Sequence, residues 1–564
     1  MIEITIDNKK ILCEEGKTIL EVAKENNIHI PTLCYLKGIM EDSNCRICVV
    51  ENQSNHKLLA SCGTKVYNGL NVVTKSQNIV NSRKNTLKLI NSVHHRDCEN
   101  CVKNENCTLK DLFDEYEIAK EENPFFSKHN YKIDKSSPCI VRDNNKCILC
   151  NRCANVCSKT QCVSALTREQ RGFNTFMGCA YNNDMKDSPC VGCGQCTLVC
   201  PTGALVEHSE MNEVRELINN KDYFVVAQIA PSVRVSLAEA FKNEVGTFDE
   251  NKMVEALKLI GFDKVFDINL GADFTVIEET NELVERIKEN KNLPQFSSCC
   301  PAWFKYVQTF YPNQTKHLSS CKSPTEMLGV IIKNYYAQKE NICEDKIKVV
   351  GIMPCTAKKG EKERAKDVDA VLTTRELALM IKESKIDYNS LSGKPFDTAL
   401  SGYTGGGLIF GVTGGVTEAV LRNACHLLSP NEQKIDFVEV RNSNGRKDVL
   451  VKCGYLTLSL CIVNGLFNAK KVMEDIISGK KQYHFVEVMA CPGGCINGGG
   501  QCYVDYSKIP VEQVKALRSK SIYEHDKKMT HRTSHENSDM QKIYEEFFIP
   551  SKNKAKQLLH YKED

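Results

Sequence analysis

Alternation opens the chain. Ile2-Glu3-Ile4-Thr5-Ile6 puts every second side chain on an apolar face, the period of a half-buried strand. Asp7-Asn8 reads as a turn, Ile11-Leu12 as a second apolar stretch, and Thr18 to Asn26 as a short amphipathic helix with Thr18 as its cap. After Glu210 the texture changes to longer strand and helix patterns. Tyr223 to Ile229, Lys348 to Met353 and Phe485 to Met489 read as buried strands, with helical stretches such as Asn251 to Ile260 and Thr374 to Ser384 between them. Strands alternating with helices predict an α/β domain whose functional groups follow strand C-termini. A small β module in front and a large α/β body behind make the fold class multidomain α/β.

Composition narrows the function classes. The 564 residues suggest three or four domains, and 74 basic residues against 71 acidic ones argue against a general nucleic-acid or membrane-surface binder. The N-terminus lacks a basic region followed by an apolar run, so no signal peptide is expected. No run of eighteen apolar residues would span a bilayer. These features predict a cytoplasmic protein. Its thirty cysteines then require an explanation, because a reducing compartment disfavours structural disulfides and favours metal binding by cysteine clusters.

The cysteines fall in modules. Cys34, Cys45, Cys48 and Cys62 follow C-x10-C-x2-C-x13-C, which can hold zinc or a 2Fe-2S cluster. A small sheet with a long cysteine-bearing loop favours 2Fe-2S and resembles the β-grasp ferredoxin module. His94, Cys98, Cys101 and Cys107 lie within fourteen positions. Zinc is the alternative there, but a His-ligated 4Fe-4S cluster suits a segment set between other cluster-type segments. Cys147, Cys150, Cys153 and Cys157 make C-x2-C-x2-C-x3-C, and Cys190, Cys193, Cys196 and Cys200 repeat it. In this two-cluster ferredoxin run the fourth cysteine of each set serves the other cluster. One 4Fe-4S centre is therefore assigned to Cys147, Cys150, Cys153 and Cys200, the other to Cys190, Cys193, Cys196 and Cys157. The expected domains are 1–80 (2Fe-2S), 81–126 (a 4Fe-4S cluster on one histidine and three cysteines), 127–209 (two 4Fe-4S) and 210–564, whose last segment begins near 503.

Three further motifs follow in order: Ser297-Ser298-Cys299-Cys300-Pro301-Ala302-Trp303, Met353-Pro354-Cys355-Thr356-Ala357-Lys358-Lys359 with Glu361, and Glu487-Val488-Met489-Ala490-Cys491-Pro492-Gly493-Gly494-Cys495. Together they resemble the signatures of the iron-only (FeFe) hydrogenases, in the monomeric bacterial form with four accessory clusters. The resemblance implies an H-cluster domain: a 4Fe-4S cube held by Cys300, Cys355, Cys491 and Cys495, with Cys495 bridging to a two-iron unit carrying CO and CN⁻. It implies the reaction 2 H⁺ + 2 e⁻ ⇌ H2, ferredoxin or a flavodoxin-like carrier as electron partner, and dedicated maturation enzymes for cluster assembly.

The same resemblance assigns proton transfer to Cys299, Glu279, Ser319 and Glu282, with Arg286 one turn further on. It gives Lys358 a cyanide as partner, and matches Ala230, Pro231, Ser232, Phe296, Ser323, Pro324, Met353, Phe410 and Met489 to the cavity lining. A thiol suits a relay because its ordinary pKa of about 8.5 is near working pH, and burial would raise a carboxyl toward neutrality. The chain departs from the family pattern at Ser297, Ala302, Cys321, where a small apolar residue is usual, and Cys502, where proline is common.

Overall fold

The structure is a computed structural model describing residues 1–120, 129–400, 402–428, 434–441, 445–454, 456–504, 509–551 and 553–561. The expected boundary at 126/127 lies outside the described residues. The chain forms two compact units, one of Met1–Thr160, Ser164–Ser188 and Val199–Val206, the other of Gln161–Val163, Pro189–Leu198 and Glu207–Asp564.

In the first unit, strands Ile2–Ile6 and Lys9–Cys13 form the expected hairpin, with Ile4 opposite Ile11. Among the described residues this sheet runs, in spatial order, Lys9–Cys13, Ile2–Ile6, Asn71–Val73, Val49–Asn52, Leu58–Ala60. Ile4, Ile6 and Ile11 face a core closed by helix Ile19–Glu25, whose Ile19, Val22 and Ala23 are buried. That helix starts where the sequence places it. Thr18 caps the Glu21 amide while the Glu21 carboxylate accepts from the Thr18 N–H at 3.0 Å, satisfying two otherwise orphaned donors. Thr18→Ala should destabilise this unit by about 1 kcal/mol, read as a lower denaturation midpoint for its signal.

Among the described residues the second unit is built on two four-stranded sheets. In the first, strands Lys264–Asp267, Phe224–Ile229, Ile347–Met353 and Ala370–Thr373 are all parallel. In the second, Gln295–Phe296, Phe485–Met489 and Leu456–Asn464 run parallel, and Arg446–Cys453 pairs antiparallel at the edge. Apart from Lys348 and Glu487 the central strands Ile347–Met353 and Phe485–Met489 are apolar, and nearly all of their positions are buried, as expected when elements cover both faces. Helix Ile268–Glu289 follows strand Lys264–Asp267, capped by Asp267 onto the Asn269 amide.

One covalent feature runs against the expectation from cysteine usage. Cys425, on helix Gly415–Leu428, is disulfide-bonded to Cys453, at the end of strand Arg446–Cys453. The 28-residue separation carried no spacing signal, and the pair becomes adjacent only because the helix packs on that strand.

Candidate active site

Strand ends deliver the site. Cys355 follows strand Ile347–Met353, Cys491 and Cys495 follow strand Phe485–Met489, and Cys300 caps helix Pro301–Phe310 just past strand Gln295–Phe296. Pro301 suits this junction because the first helical position needs no N–H donor. Burial pushes the Cys355 thiol up to about 12, and Cys300 adds to it; burial likewise raises Cys491, with Cys355, Cys193, Cys300 and Cys495 adding to it. Cys495 is raised by burial first, then by Cys300 and Cys355. Cys491 is buried and Cys300, Cys355 and Cys495 are half-buried, so the four thiols meet with little water to stabilise their charged forms. The donor set fits a cationic metal cluster, which stabilises thiolates that the protein alone disfavours.

The loop carrying Cys491 and Cys495 is packed too tightly for side chains at its glycines. A Cβ at Gly498 would lie 2.2 Å from the Pro354 carbonyl oxygen, and one at Gly499 2.3 Å from that of Cys193. Arg375 holds the far end, donating to the Gly499 carbonyl at 2.8 Å and the Gln501 carbonyl at 2.7 Å. Gln195 donates to the Asn497 carbonyl at 3.1 Å, so the 190–196 cysteine segment lies directly against this loop. Glu487, completely buried, accepts from the Gly414 and Thr417 amides at 2.7 Å and anchors the start of helix Gly415–Leu428.

Cys299, beside Cys300, is half-buried, and loss of hydration followed by the Glu279 charge raises its thiol well above the ordinary value. Glu279 is 1% exposed. Burial pushes its carboxyl up to about 8, with Glu282 and Glu487 adding to the effect. Its Oε2 has no hydrogen-bond partner among the described residues. Ser319 Oγ donates to Glu282 Oε2 at 2.7 Å, and Arg286 donates to Glu282 Oε1 at 2.6 Å. Of the four groups expected in the relay, Glu282 and Ser319 are hydrogen-bonded to each other, Glu279 is buried and Cys299 is half-buried. Ser319→Ala should slow proton-coupled turnover by roughly 10²-fold and leave iron content unchanged, measured by H2 evolution and metal analysis.

Lys358 is buried, and Nζ donates to Glu361 Oε2 at 2.6 Å, Ser323 Oγ at 2.8 Å and the Cys299 carbonyl at 3.4 Å. Its charge is therefore balanced inside the site. Of the expected lining, Ala230, Pro231 and Ser232 follow strand Phe224–Ile229, and Ser232 Oγ donates to the carbonyl of Gly411, next to Phe410. Met353 lies against Thr325, next to Pro324. Phe296 packs on Trp303 at 5.5 Å between ring centroids. Met489 lies where a Cβ on Gly494 would strike its sulfur at 2.8 Å. Cys502 is buried with its N–H on Ser236 Oγ at 3.3 Å, a packing role that spacing did not reveal.

Within the first unit, cysteines expected to share a cluster come together. Cys34 Sγ accepts from the Cys45 amide at 3.4 Å, and Ser43 Oγ lies 3.5 Å from Cys62 Sγ. Interactions link Cys34 to Cys45 and Cys48 to Cys62. His94, Cys98, Cys101 and Cys107 line one cavity, and His94 Nδ1 lies 3.1 Å from the Lys146 carbonyl. That bond makes Nδ1 the protonated nitrogen and leaves the lone pair on Nε2, the usual arrangement for a metal-ligating imidazole. Cys147, Cys150, Cys153 and Cys200 line a second, largely apolar cavity. Backbone amides point at several sulfurs: Leu149 to Cys147 and Gly192 to Cys190, both at 3.4 Å, and Ala165 to Cys157 at 3.3 Å. Such N–H···S bonds suit iron–sulfur ligation. Cys193 and Cys196 lie with Cys190 in the 189–198 stretch of the second unit.

Comparison with known proteins agrees with this chemistry. Residues 223–499 match the family described as iron only hydrogenase large subunit, C-terminal domain, and 512–562 match iron hydrogenase small subunit. Residues 1–77 match a 2Fe-2S binding domain, 83–122 the NADH-ubiquinone oxidoreductase-G iron–sulfur binding region, and 146–204 a 4Fe-4S dicluster domain. The NADP-reducing hydrogenase subunit of Solidesulfovibrio fructosivorans is 40% identical, over 99% of this chain and 98% of its own. Iron hydrogenase 1 of Clostridium pasteurianum is 37% identical, over 99% of each. A solved apo FeFe hydrogenase variant from Chlamydomonas reinhardtii is 32% identical with a TM-score of 0.55, covering 62% of this chain and 98% of that one.

Proposed function

The chain belongs to the iron-only (FeFe) hydrogenases, and from that premise we propose that it interconverts protons, electrons and H2 in the sense 2 H⁺ + 2 e⁻ ⇌ H2. The observation that carries this reading is the meeting of four thiols, from three loops, with Cys299 and the protonatable Glu279 beside them. Cys300, Cys355, Cys491 and Cys495 would hold the cluster. When bound, the H-cluster supplies the centre at which two electrons and two protons combine.

The protein's own part is positioning and proton supply. Glu282 takes a proton near the surface, and Ser319 passes it inward by reorienting its hydroxyl. Glu279, held near neutrality by burial, can carry it in either direction. Cys299 Sγ holds it next to the site. Lys358, fixed by Glu361 and Ser323, keeps a positive donor at the pocket wall without adding net charge.

Electrons would enter through one 2Fe-2S and three accessory 4Fe-4S clusters held by the modules described above. The contact between Gln195 and the Asn497 carbonyl favours the Cys190–Cys196 cluster as the last donor. Ferredoxin is the proposed external partner. The relative named as an NADP-reducing subunit favours a second reading, in which electrons leave through a pyridine-nucleotide-coupled partner protein. Matured protein should reduce ferredoxin with H2 without any further subunit. Failure with ferredoxin, together with NADP⁺ reduction only when a flavoprotein partner is added, would overturn the ferredoxin assignment.

A further inference from the structure

Three ligand-type side chains distant in sequence meet beside the relay. Glu282 comes from helix Ile268–Glu289, Cys321 from the segment before helix Pro324–Val330, and His560 from the end of the described chain. Cys321 Sγ lies 3.6 Å from Glu282 Oε2 and 3.8 Å from His560 Nδ1. The three donor atoms all fall within 4.8 Å of one another. In tetrahedral zinc sites, with Zn–S about 2.3 Å and Zn–N or Zn–O about 2.0–2.1 Å, neighbouring ligand atoms are about 3.5 Å apart. Two of the three edges are thus already close to the length an ion requires.

We propose that Glu282, Cys321 and His560 form a binding site for one thiophilic divalent cation of the zinc class.

The backbone holds these groups together. Cys321 and His560 are paired in an antiparallel bridge, flanked by Lys322 N–H to the Leu559 carbonyl and Tyr561 N–H to the Ser320 carbonyl, both 2.8 Å. The imidazole is oriented from behind. His560 Nε2 lies 2.9 Å from Glu278 Oε2, and the other Glu278 oxygen accepts from the Tyr544 hydroxyl. A histidine that gives its second N–H to a carboxylate presents the remaining lone pair to a metal, here Nδ1 on the side of Cys321. Ser320 Oγ now lies 2.8 Å from Nδ1 and would turn away when an ion takes that lone pair.

Charge also balances. A dication with the Glu282 carboxylate and the Cys321 thiolate is neutral, and the thiol proton leaves to solvent on binding. Three protein ligands leave a fourth position for water. Glu282 Oε2 is also the oxygen that accepts from Ser319. On the relay reading above, on which this step rests, an occupied site draws that oxygen away from Ser319 and closes proton transfer. Arg286 remains on Oε1.

The test uses matured holoenzyme, whose cluster ligands are already occupied, and Zn²⁺ alone. Equilibrium dialysis should show one tightly held equivalent with iron content unchanged, and zinc-edge X-ray absorption should show a single sulfur neighbour among N/O ligands. Cys321→Ala should remove this equivalent, and His560→Gln should weaken it at least tenfold. H2 turnover should fall as the site fills in the native protein but not in Cys321→Ala, each measured against its own metal-free rate. No bound equivalent, a sulfur-rich zinc environment, or undiminished binding in Cys321→Ala would overturn the site. Full occupancy with unchanged turnover would overturn closure of the relay while leaving the site standing.

Discussion

Alanine at Cys299 should lower H2 turnover of the matured protein by roughly 10²- to 10⁴-fold, the usual contribution of a positioned proton donor, while iron content stays the same. The half-buried thiol feels the charges of both Glu279 and Cys300, and the described residues that form the proposed relay offer no other proton carrier between Glu279 and the cysteine ligands. Removing Sγ leaves the ligands in place but interrupts the last transfer. Serine is a sharper probe, because its hydroxyl is a far weaker acid than a thiol; Cys299→Ser should stay close to the alanine rate. Turnover within a few-fold of the native protein in both variants would show that protons reach the site by another way.

The second large effect is expected away from the chemistry. Arg375 donates to Glu207 at 2.7 Å, to Thr197 Oγ1 at 3.1 Å and to two carbonyls of the glycine-rich loop. Burial pushes the Glu207 carboxyl up, but the Arg375 charge outweighs it and holds Glu207 below the usual carboxylate range. Arg375→Met strands that carboxylate and removes a donor from both loop carbonyls, of which Gly499 keeps only the Thr197 hydroxyl at 3.2 Å. Breaking a buried pair by removing one partner costs about 3–5 kcal/mol. A substantially lower thermal midpoint and poor iron loading should follow. The double variant Arg375→Met/Glu207→Gln should recover part of the loss, since the stranded charge is gone. A single variant with native stability and full iron content would show that the loop is held by its own packing.

How much of this was legible in the sequence follows from how local each signal is. The Ile2–Ile6 alternation, the Thr18 cap and the apolar strands are set by neighbours a few residues apart, so they appear in the structure with ends shifted by a residue at most; Phe224 opens a strand read from Tyr223. The thiols that meet at the site were found through short motifs, and no periodicity argument would have joined Cys300 to Cys495. Arg375, Gln501 and Glu487 were invisible as functional supports because each acts through backbone groups far along the chain. Cys425 and Cys453 were missed for a different reason, since general redox reasoning disfavours disulfides where clusters abound. Cys321 stood out as a departure, but its partner His560 lies 239 residues on, and only the folded chain brings the two together.

The most direct measurement is infrared spectroscopy of the protein produced anaerobically with the dedicated maturation enzymes. If Cys300, Cys355, Cys491 and Cys495 hold an H-cluster, bands from metal-bound CO and CN⁻ should appear, and they should persist in Cys299→Ala. A protein fully loaded with iron and sulfide at its accessory sites that shows no such bands would contradict the assignment.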